Sequence, residues 1–457
     1  MDRVISELIE IVGSEHVLVD ERLSDDYCHD EALSVAPQKP RVVVRPSSAE
    51  QVSQILRLAS EHRFPVTPRG AGTGLSGACT PLEGGMVLSF ERMKRILEID
   101  VENHVAVVEA GVTLQELNDA AAQKGLVYPV FPGENSATLG GNVATNAGGM
   151  RAVKYGVTRQ HVVGLEAVLP TGEVVRLGGK LVKTSTGYDL AQLIIGSEGT
   201  LAAVTQVTVK LVPLLQHRAT VLAPYRTLVE AVRAVPALVV TGVGPLMVEY
   251  LDQLTMMAIT AQSGLELAVD ANVKNDAQAY LLVVLEGRTA ERVDEDLELA
   301  GKVLAERGAM DVYVLQPNAG AQLVNARERA FFSAKAASAS DVIDIVVPRA
   351  ALPAYMERVK EISMRHATMI PGCGHAGDGN VHLAIFEHDP DKRSRILRDL
   401  FEAGRTLGGV ISGEHGIGTA KKKYFMALED PAKLALMRRL KQAFDPANIL
   451  NPGTVFD

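Results

Sequence analysis

The hydrophobic and polar positions of this chain switch repeatedly between the period of a helix and that of a strand. Apolar residues spaced three and four apart predict helices at the N-terminus, at residues 49–63 and at residues 113–124, where Leu114 and Leu117 face inward. β-Branched runs between the helices predict strands, for example RVVVRP at residues 41–46 and HVAVVEAG at residues 104–111. This alternation predicts an α+β fold.

Glycine-rich stretches recur along the first part of the chain and stop near Pro213, and we place a domain boundary there. Residues 1–35 form a separate N-terminal segment, a helix followed by an acidic loop. Beyond the boundary, helices such as LVEAVRAV alternate with strands such as AYLLVVLEG and DVIDIVVP. This pattern predicts an antiparallel sheet with helices on one face.

Composition and charge exclude several classes of protein. The 457 residues carry a net charge of −9, which argues against nucleic acid as the main partner. Three widely spaced cysteines, Cys28, Cys79 and Cys373, cannot by themselves hold an iron–sulfur cluster, and they indicate a reducing, cytoplasmic compartment. No uncharged apolar run approaches the roughly 20 residues of a membrane span, so we expect membrane contact only through a partner.

Three glycine-rich stretches, at residues 68–77, 132–149 and 196–200, predict loops that bring backbone N–H groups close to a bound group. The first contains GxGxxG at Gly72, Gly74 and Gly77. Pro81 and further glycines follow instead of the helix that a nicotinamide-binding fingerprint needs. We therefore predict an anion-cradling loop of another kind.

His375, His382 and Glu414 form a candidate metal-ligand set, since two imidazoles and a carboxylate suit a divalent cation. Two ordinary loop histidines are the alternative, but GEHG at residues 413–416 favours a site. Adjacent Glu414 and His415 can serve as a ligand and as a base. Arg327 is predicted on a helix, and the lysines at 421–423 are predicted to be solvated.

Seven motifs occur in order: PRGAGTGLSG, PGENSATLGGNVATNAGG, KYG, GSEGTLAAVT, GHAGDGNVH, GEHGIG and NPG. The chain resembles, from about residue 40 to its end, the FAD-linked 2-hydroxyacid dehydrogenases of the vanillyl-alcohol-oxidase (PCMH-type) superfamily. D-lactate dehydrogenase, the D subunit of glycolate oxidase and D-2-hydroxyglutarate dehydrogenase belong there. The resemblance implies an α+β, PCMH-type two-lobed FAD-binding domain at residues 36–215. It implies a cap domain with an antiparallel sheet and flanking helices at 216–430, and a tail at 431–457 that returns to the FAD domain.

The resemblance also implies the cofactor-binding residues. Thr73 stands where some members attach FAD through a histidine, so noncovalent FAD is implied. The implied set is Pro68, Arg69, Gly70, Ala71, Gly72, Thr73, Gly74, Leu75, Ser76, Pro132, Gly133, Thr138, Gly140, Gly141, Asn142, Ala144, Thr145, Gly148, Gly149, Glu198, Gly199, Val204 and Asn451.

In the cap, the resemblance implies that His375, His382 and Glu414 bind a divalent metal, Zn, Mn or Fe. His415 matches the catalytic base, and Arg327 matches the arginine that holds the substrate carboxylate. Substrate contacts are thus expected from Arg327, His375 and His415.

The chain departs from the family pattern at three positions. Val324 replaces a usual tryptophan, and Val342 and Ala384 replace a lysine and an asparagine of the hydroxyglutarate enzymes. These replacements disfavour a dicarboxylate substrate.

The implied activity is oxidation of a D-2-hydroxy acid, D-lactate or glycolate, to the 2-oxo acid, with hydride transfer to flavin N5. Electrons would leave to an external acceptor: an iron–sulfur subunit, an electron-transferring flavoprotein or a quinone. The expected assembly is a homodimer or a hetero-complex in the cytoplasm, or peripheral to a membrane through a partner. A D-2-hydroxyglutarate dehydrogenase and a non-redox FAD enzyme of the same superfamily are the alternatives. A non-catalytic FAD subunit is disfavoured, because it would have no reason to keep the five cap residues.

Overall fold

Three sheets form the framework of the protein. The computed structural model describes residues 3–267 and 269–456. A four-stranded and a five-stranded sheet occupy the first half of the chain, and a seven-stranded sheet occupies the second half. No helix among these residues is long and apolar enough to cross a membrane.

The four-stranded sheet lies under two helices at the N-terminal end. Its elements are α1 (Arg3–Val12), β1 (Val17–Leu18), β2 (Val42–Val44), α2 (Ala49–His62), β3 (Val66–Arg69) and β4 (Met86–Ser89). The strand order is β1-β2-β4-β3, with β2 and β3 parallel to β4. Ser48 caps α2 by accepting a hydrogen bond from Gln51 N, as a residue with a short polar side chain does at this position. Strand β3, at the edge of this sheet, leads directly into the first glycine-rich loop.

The five-stranded sheet is antiparallel throughout, in the order β5-β6-β10-β8-β9. Its strands are β5 (Ile96–Asp100), β6 (Val105–Glu109), β8 (Val162–Val168), β9 (Val174–Gly178) and β10 (Ala203–Lys210). The helices of this region are α3 (Leu114–Ala122), α4 (Leu139–Thr145), α5 (Ala152–Tyr155), α6 (Thr158–His161) and α7 (Ala191–Ile194). Two short strands, β7 (Leu126–Val127) and β11 (Val212–Pro213), pair with each other in a separate two-stranded sheet. Leu114 and Leu117 of α3 are buried in the core of the five-stranded sheet, as predicted.

The seven-stranded sheet is also antiparallel and contains most of the second half of the chain. Its strands in spatial order are β15 (Tyr313–Leu315), β12 (His217–Tyr225), β14 (Ala279–Gly287), β13 (Met247–Asp252), β17 (Gly372–His375), β18 (Asn380–Ile385) and β16 (Asp341–Val346). The helices are α8 (Leu228–Val239), α9 (Gln253–Ser263), α10 (Ala271–Asp276), α11 (Ala290–Glu306), α12 (Pro317–Glu328), α13 (Ala330–Ala336), α14 (Leu352–His366), α15 (Pro390–Thr406), α16 (Lys422–Leu428) and α17 (Pro431–Phe444).

Helices cover both faces of this sheet, so the prediction of helices on one face is wrong. Val221 and Tyr225 of β12 pack in the core that α8 and α11 share, whereas Leu222 points to the opposite face, where α9 and α12 lie. The reason is visible in the run AYLLVVLEG, which is apolar at consecutive positions. A strand with this pattern is buried on both sides and needs two covering layers.

The end of the chain lies against the first sheet. Leu450 forms a β-bridge with Val66, and the side-chain amide of Asn451 donates to the carbonyl oxygens of Ala78 (3.2 Å) and Glu198 (2.8 Å). These contacts bring residue 451 to the glycine-rich loops of the first half.

Candidate active site

A cavity of about 1200 Å³ lies where the three glycine-rich stretches meet. Nineteen of the 23 residues predicted to bind the cofactor line it. Of the other four, Gly133 and Gly149 line a neighbouring cleft, and Ser76 and Gly148 line neither space. A Cβ at Gly148 would lie 2.8 Å from Glu414 Oε2, so this glycine makes room for the cap rather than for a ligand.

Close backbone packing shapes the cavity wall. A Cβ at Gly140 would lie 2.7 Å from Ala110 Cβ, and one at Gly70 would overlap the hydroxyl of Thr138. The backbone N–H groups of residues 71–75 donate no hydrogen bond to any other described residue. Free N–H donors on a glycine-rich wall fit the phosphate groups of a dinucleotide.

Arg69 lies in this wall, but its guanidinium forms hydrogen bonds to backbone carbonyl oxygens of the protein. It donates to the carbonyl oxygens of Asp26 (2.5 Å) and His29 (2.7 Å), and it thereby fixes the N-terminal segment over the loop. Since Arg69 is the only Lys or Arg among the lining residues, backbone N–H groups and hydroxyls are left to meet an anion. Two apolar residues that no motif indicated, Phe90 and Ile194, also line the cavity.

A second cleft of about 700 Å³ lies beside the cavity and shares Leu75, Pro132, Glu414 and His415 with it. Arg327, at the end of α12, is the only Lys or Arg among the residues that line this cleft. The predicted substrate and metal residues therefore face the same space as part of the cavity wall.

His375, His382 and Glu414 come together although 39 positions separate the first from the last. His375 ends β17, His382 lies on the neighbouring strand β18, and Glu414 lies in a loop. Glu414 Oε1 is 3.1 Å from His375 Nε2 and 3.2 Å from His382 Nε2, and one ligand atom from each residue lies within 4.8 Å of the others. Two imidazole nitrogens and a carboxylate oxygen converging in this way fit a divalent cation.

Glu249 of β13 organises this cluster and was missed by sequence reasoning. Its carboxylate is fully buried and lies 2.8 Å from His375 Nδ1 and 2.7 Å from Arg327 Nη2. It therefore orients a candidate ligand and a candidate substrate residue together, as the outer carboxylates of metal-site histidines do. The signal was an acid in the middle of the apolar strand MVEYLD.

The buried charges shift the titration of these groups strongly. Burial alone would lower the pKa of His375, but Glu249 and Glu414 outweigh it and raise the pKa to about 10. Because histidine ligates a metal only without its proton, a cation competes with that proton. Burial, with the nearby charge of Lys421, lowers the pKa of His415 to about 4. His415 is thus neutral near pH 7 and free to accept a proton.

Lys421 is buried, which contradicts the prediction that the lysines at 421–423 are solvated. Its ammonium donates to the carboxylate of Asp344, a fully buried residue of β16, and lies 3.3 Å from the hydroxyl of Ser412. A lysine can lose water in this way when a carboxylate and a hydroxyl replace it. Because Lys421 stands beside two further lysines, the sequence alone suggested a solvated patch. The contact with Asp344 forms only in the folded chain.

Comparison with known proteins identifies the family of this chain. The sequence profile described as FAD linked oxidases, C-terminal domain, matches residues 214–455, and that described as FAD binding domain matches residues 40–178. The chain belongs to the FAD-linked oxidase family, and it is an FAD-linked oxidoreductase of the D-lactate dehydrogenase and glycolate oxidase type.

Full-length relatives are found in several bacteria. An FAD-linked oxidoreductase of Mycobacterium tuberculosis is 52% identical, covering 100% of this chain and 99% of its own. The D-lactate dehydrogenase of Anaerostipes hadrus is 37% identical (99% and 98% covered), and the glycolate oxidase subunit GlcD of Bacillus subtilis is 37% identical (99% and 96%).

A solved structure supports the fold. That of p-cresol methylhydroxylase with substrate bound superposes with a TM-score of 0.81 at 19% identity, covering 100% of this chain and 96% of the other. The PCMH-type α+β fold predicted from the motifs is therefore confirmed.

Proposed function

We propose that this protein oxidises a D-2-hydroxy monocarboxylate, D-lactate or glycolate, to the 2-oxo acid. The observation that carries the proposal is the convergence of Arg327, His415 and the His375–His382–Glu414 cluster on one cleft that adjoins the FAD cavity. An anion-binding arginine, a neutral base and a set of cation ligands are the parts that oxidation of a hydroxy acid requires.

Arg327 holds the substrate carboxylate in this proposal. Its guanidinium is buried, and the ion pair with Glu249 uses only one side of it. A planar guanidinium offers further N–H donors in a fixed fork, which suits a second carboxylate. The substrate would thus be oriented with its C2 toward His415.

His415 takes the proton of the substrate hydroxyl. Its ring lies 5.1 Å from that of His382, centroid to centroid, so the base adjoins the cluster that would hold the metal. A bound divalent cation would polarise the hydroxyl and lower its pKa, and bound FAD would supply the two-electron acceptor. The low pKa of His415 keeps its nitrogen unprotonated at neutral pH.

The cleft wall favours a monocarboxylate. Val342 and Ala384 line it, and they add neither charge nor hydrogen-bond donors from their side chains. A second carboxylate placed there would lose water without gaining a partner, a cost of several kcal/mol or more by order of magnitude. Lactate and glycolate avoid this cost.

We infer that the electrons leave to a separate protein or a quinone. The Bacillus subtilis relative is named as a subunit of glycolate oxidase, which supports a hetero-complex for this chain. An iron–sulfur subunit and an electron-transferring flavoprotein are the protein acceptors we would test first.

The deciding experiment is anaerobic titration of the purified flavoprotein with D-lactate, L-lactate, glycolate, malate and D-2-hydroxyglutarate, followed by the flavin absorbance. We expect bleaching by D-lactate or glycolate, and loss of bleaching after treatment with EDTA that zinc or manganese restores. Faster bleaching by D-2-hydroxyglutarate would overturn the substrate assignment. No bleaching by any of the five acids would favour a non-redox FAD enzyme.

Replacing Arg327 by lysine tests the carboxylate contact. Arg327→Lys keeps the charge beside Glu249 but removes the planar fork, so we expect KM for the hydroxy acid to rise roughly 10- to 100-fold. The flavin content should stay that of the wild type, which absorbance at a known protein concentration measures. An unchanged KM would assign the carboxylate to another group. Arg329→Lys, two positions away in the chain, is the control.

A further inference from the structure

The loop that carries Glu414 and His415 has no regular secondary structure of its own. Residues 412–418, which we call the GEHG loop, lie between a β-bridge at Val410 and helix α16. A loop without a helix or sheet ladder must direct its backbone N–H groups to other acceptors. In this protein the acceptors are two buried carboxylates, one from each half of the chain.

Asp344 holds the first part of the GEHG loop. Its Oδ2 accepts hydrogen bonds from the backbone N–H groups of Gly413 (2.7 Å), Glu414 (2.7 Å) and His415 (3.1 Å). Its Oδ1 accepts one from the hydroxyl of Ser412 (3.0 Å) and lies 3.5 Å from His415 Nδ1. Three successive amides on one oxygen fix the direction of the backbone that bears Glu414 and His415.

Lys421 completes this anchor. Asp344 is fully buried, and the ammonium of Lys421, itself buried, donates a hydrogen bond to its Oδ1. The carboxylate therefore stays ionised, and ionised acceptors form the stronger hydrogen bonds to backbone N–H groups.

Glu198 holds the second part of the loop from the FAD side. Its carboxylate accepts hydrogen bonds from the backbone N–H groups of Ile417 (2.8 Å) and Gly418 (2.7 Å). Glu198 also lines the cavity in which we place FAD. A Cβ at Gly416 would lie 2.8 Å from Glu198 Oε2, so a glycine there lets the carboxylate approach. The predicted role of Glu198 at the cofactor is thus joined to a role that the sequence did not indicate.

We propose that Asp344 and Glu198 are positioning residues that hold the GEHG loop from the two halves of the chain and thereby aim Glu414 and His415 into the cleft. Neither residue touches the reacting atoms in this proposal. It rests on the proposed function for its effect on rate, but the anchoring itself is independent of which substrate is oxidised.

Amide hydrogen exchange of the FAD-loaded protein, resolved to single residues by fragmentation mass spectrometry, tests the anchoring. In Asp344→Asn we expect exchange at residues 413–415 to quicken at least tenfold, with residues 417–418 unchanged. In Glu198→Gln we expect the reverse. Unchanged exchange at 413–415 in Asp344→Asn would overturn the proposal, whether or not the protein oxidises a hydroxy acid.

The catalytic arm measures flavin reduction per bound FAD. We expect Asp344→Asn to slow reduction at saturating substrate at least tenfold with little change in KM, because Arg327 still binds the carboxylate. Asp344→Asn leaves the buried ammonium of Lys421 without its carboxylate partner, and the double variant Asp344→Asn/Lys421→Met removes that ammonium. The double variant should therefore be more thermally stable than Asp344→Asn but reduce the flavin no faster. Recovery of both stability and rate would reduce Asp344 to a purely structural role.

Asp445 provides the matched control. This buried carboxylate also pairs with a buried lysine, Lys441, and accepts the backbone N–H groups of Ile449 and Leu450 (2.8 Å for the latter). Asp445→Asn should lower the melting temperature as much as Asp344→Asn, yet leave flavin reduction per bound FAD unchanged. Equal slowing in both variants would contradict the proposal. A wild type that no hydroxy acid bleaches would instead refute the proposed function.

Discussion

The pKa values of several residues in this protein are set by burial and by the charges next to them. His415 is neutral because it is buried beside a lysine, whereas His375 holds its proton because two glutamates flank it. Glu328, next to Arg327 in the cleft wall, is a third example, since burial raises the pKa of its carboxyl to about 7. A histidine or a glutamate on a surface would titrate near its ordinary value.

Replacing His415 tests its role as the base. His415→Ala should retain FAD but reduce flavin bleaching by the hydroxy acid roughly 10²- to 10⁴-fold, the usual contribution of a positioned acid or base. Stopped-flow absorbance under anaerobic conditions measures the rate. His388→Ala, at an exposed position, is the control. Bleaching at the wild-type rate would exclude His415 from proton transfer.

Glu328 should make stability fall as pH rises. Its pKa in the folded state, about 7, lies above the ordinary value of 4.5, because burial outweighs the opposing charges of Arg151 and Arg327. Its stabilising contribution is therefore complete below pH 4.5 and is lost as pH rises through 7. Glu328→Gln should remove a decline on the order of 2 kcal/mol between pH 5 and 8, measured by urea unfolding of the metal-free protein. Glu357→Gln, an exposed change, should leave the decline intact.

At the scale of elements, glycines decide where helices and loops can approach each other. Gly140 lies in α4 against Ala110, with no room for a side chain, whereas Gly301 of α11 has only Val312 nearby, 3.7 Å from an added Cβ. Both are helical glycines, but only the first is required by its surroundings. The cavity wall thus depends on a contact between two elements and not on helix propensity.

Alanine at these two glycines should act in opposite directions. Gly301→Ala should stabilise the protein by about 0.5–1 kcal/mol, because alanine loses less backbone entropy in a helix. Gly140→Ala forces α4 away from Ala110 and should cost about 1–3 kcal/mol, the usual penalty of overpacking, and weaken FAD retention. Thermal unfolding and flavin fluorescence measure both. A stabilised Gly140→Ala variant would contradict the close-packed wall.

At the scale of the molecule, the end of the chain returns to the cavity that the glycine-rich stretches line. Asn451 has a positive φ of 42° and is buried, and its amide joins the first glycine-rich region to the segment around Glu198. This cavity is therefore assembled from residues that are more than 370 positions apart, Ala78 and Asn451.

Asn451→Ala should weaken this connection. Two buried carbonyl oxygens would lose their donor, at about 1–3 kcal/mol each, and FAD should dissociate more readily. Asn448→Ala is the matched control, because Asn448 has a similar φ of 51° but is exposed. The melting temperature of the apoprotein and the dissociation constant of FAD measure both effects. Equal losses in the two variants would show that backbone strain alone is responsible.

The sequence by itself determined the fold class, and it predicted most residues of the glycine-lined cavity and the cap residues that come together in the cleft beside it. Glycine-rich stretches mark places where the backbone needs a positive φ or a close approach to another group. Motifs of this kind, like the spaced histidines, can be recognised directly in the sequence. Nineteen of the predicted cofactor residues line the cavity for this reason.

Only the tertiary structure decided how the charged residues pair. Asp344 and Lys421 look ordinary in sequence, and Glu249 stands out only as an acid in an apolar strand. Their partners are distant along the chain: 78 positions separate Arg327 from Glu249, 126 separate His375 from Glu249, and 77 separate Lys421 from Asp344. Two-sided burial of the seven-stranded sheet likewise depends on which helices return to it. Both are set by long-range packing, because desolvation and charge pairing depend on neighbours in space rather than in sequence.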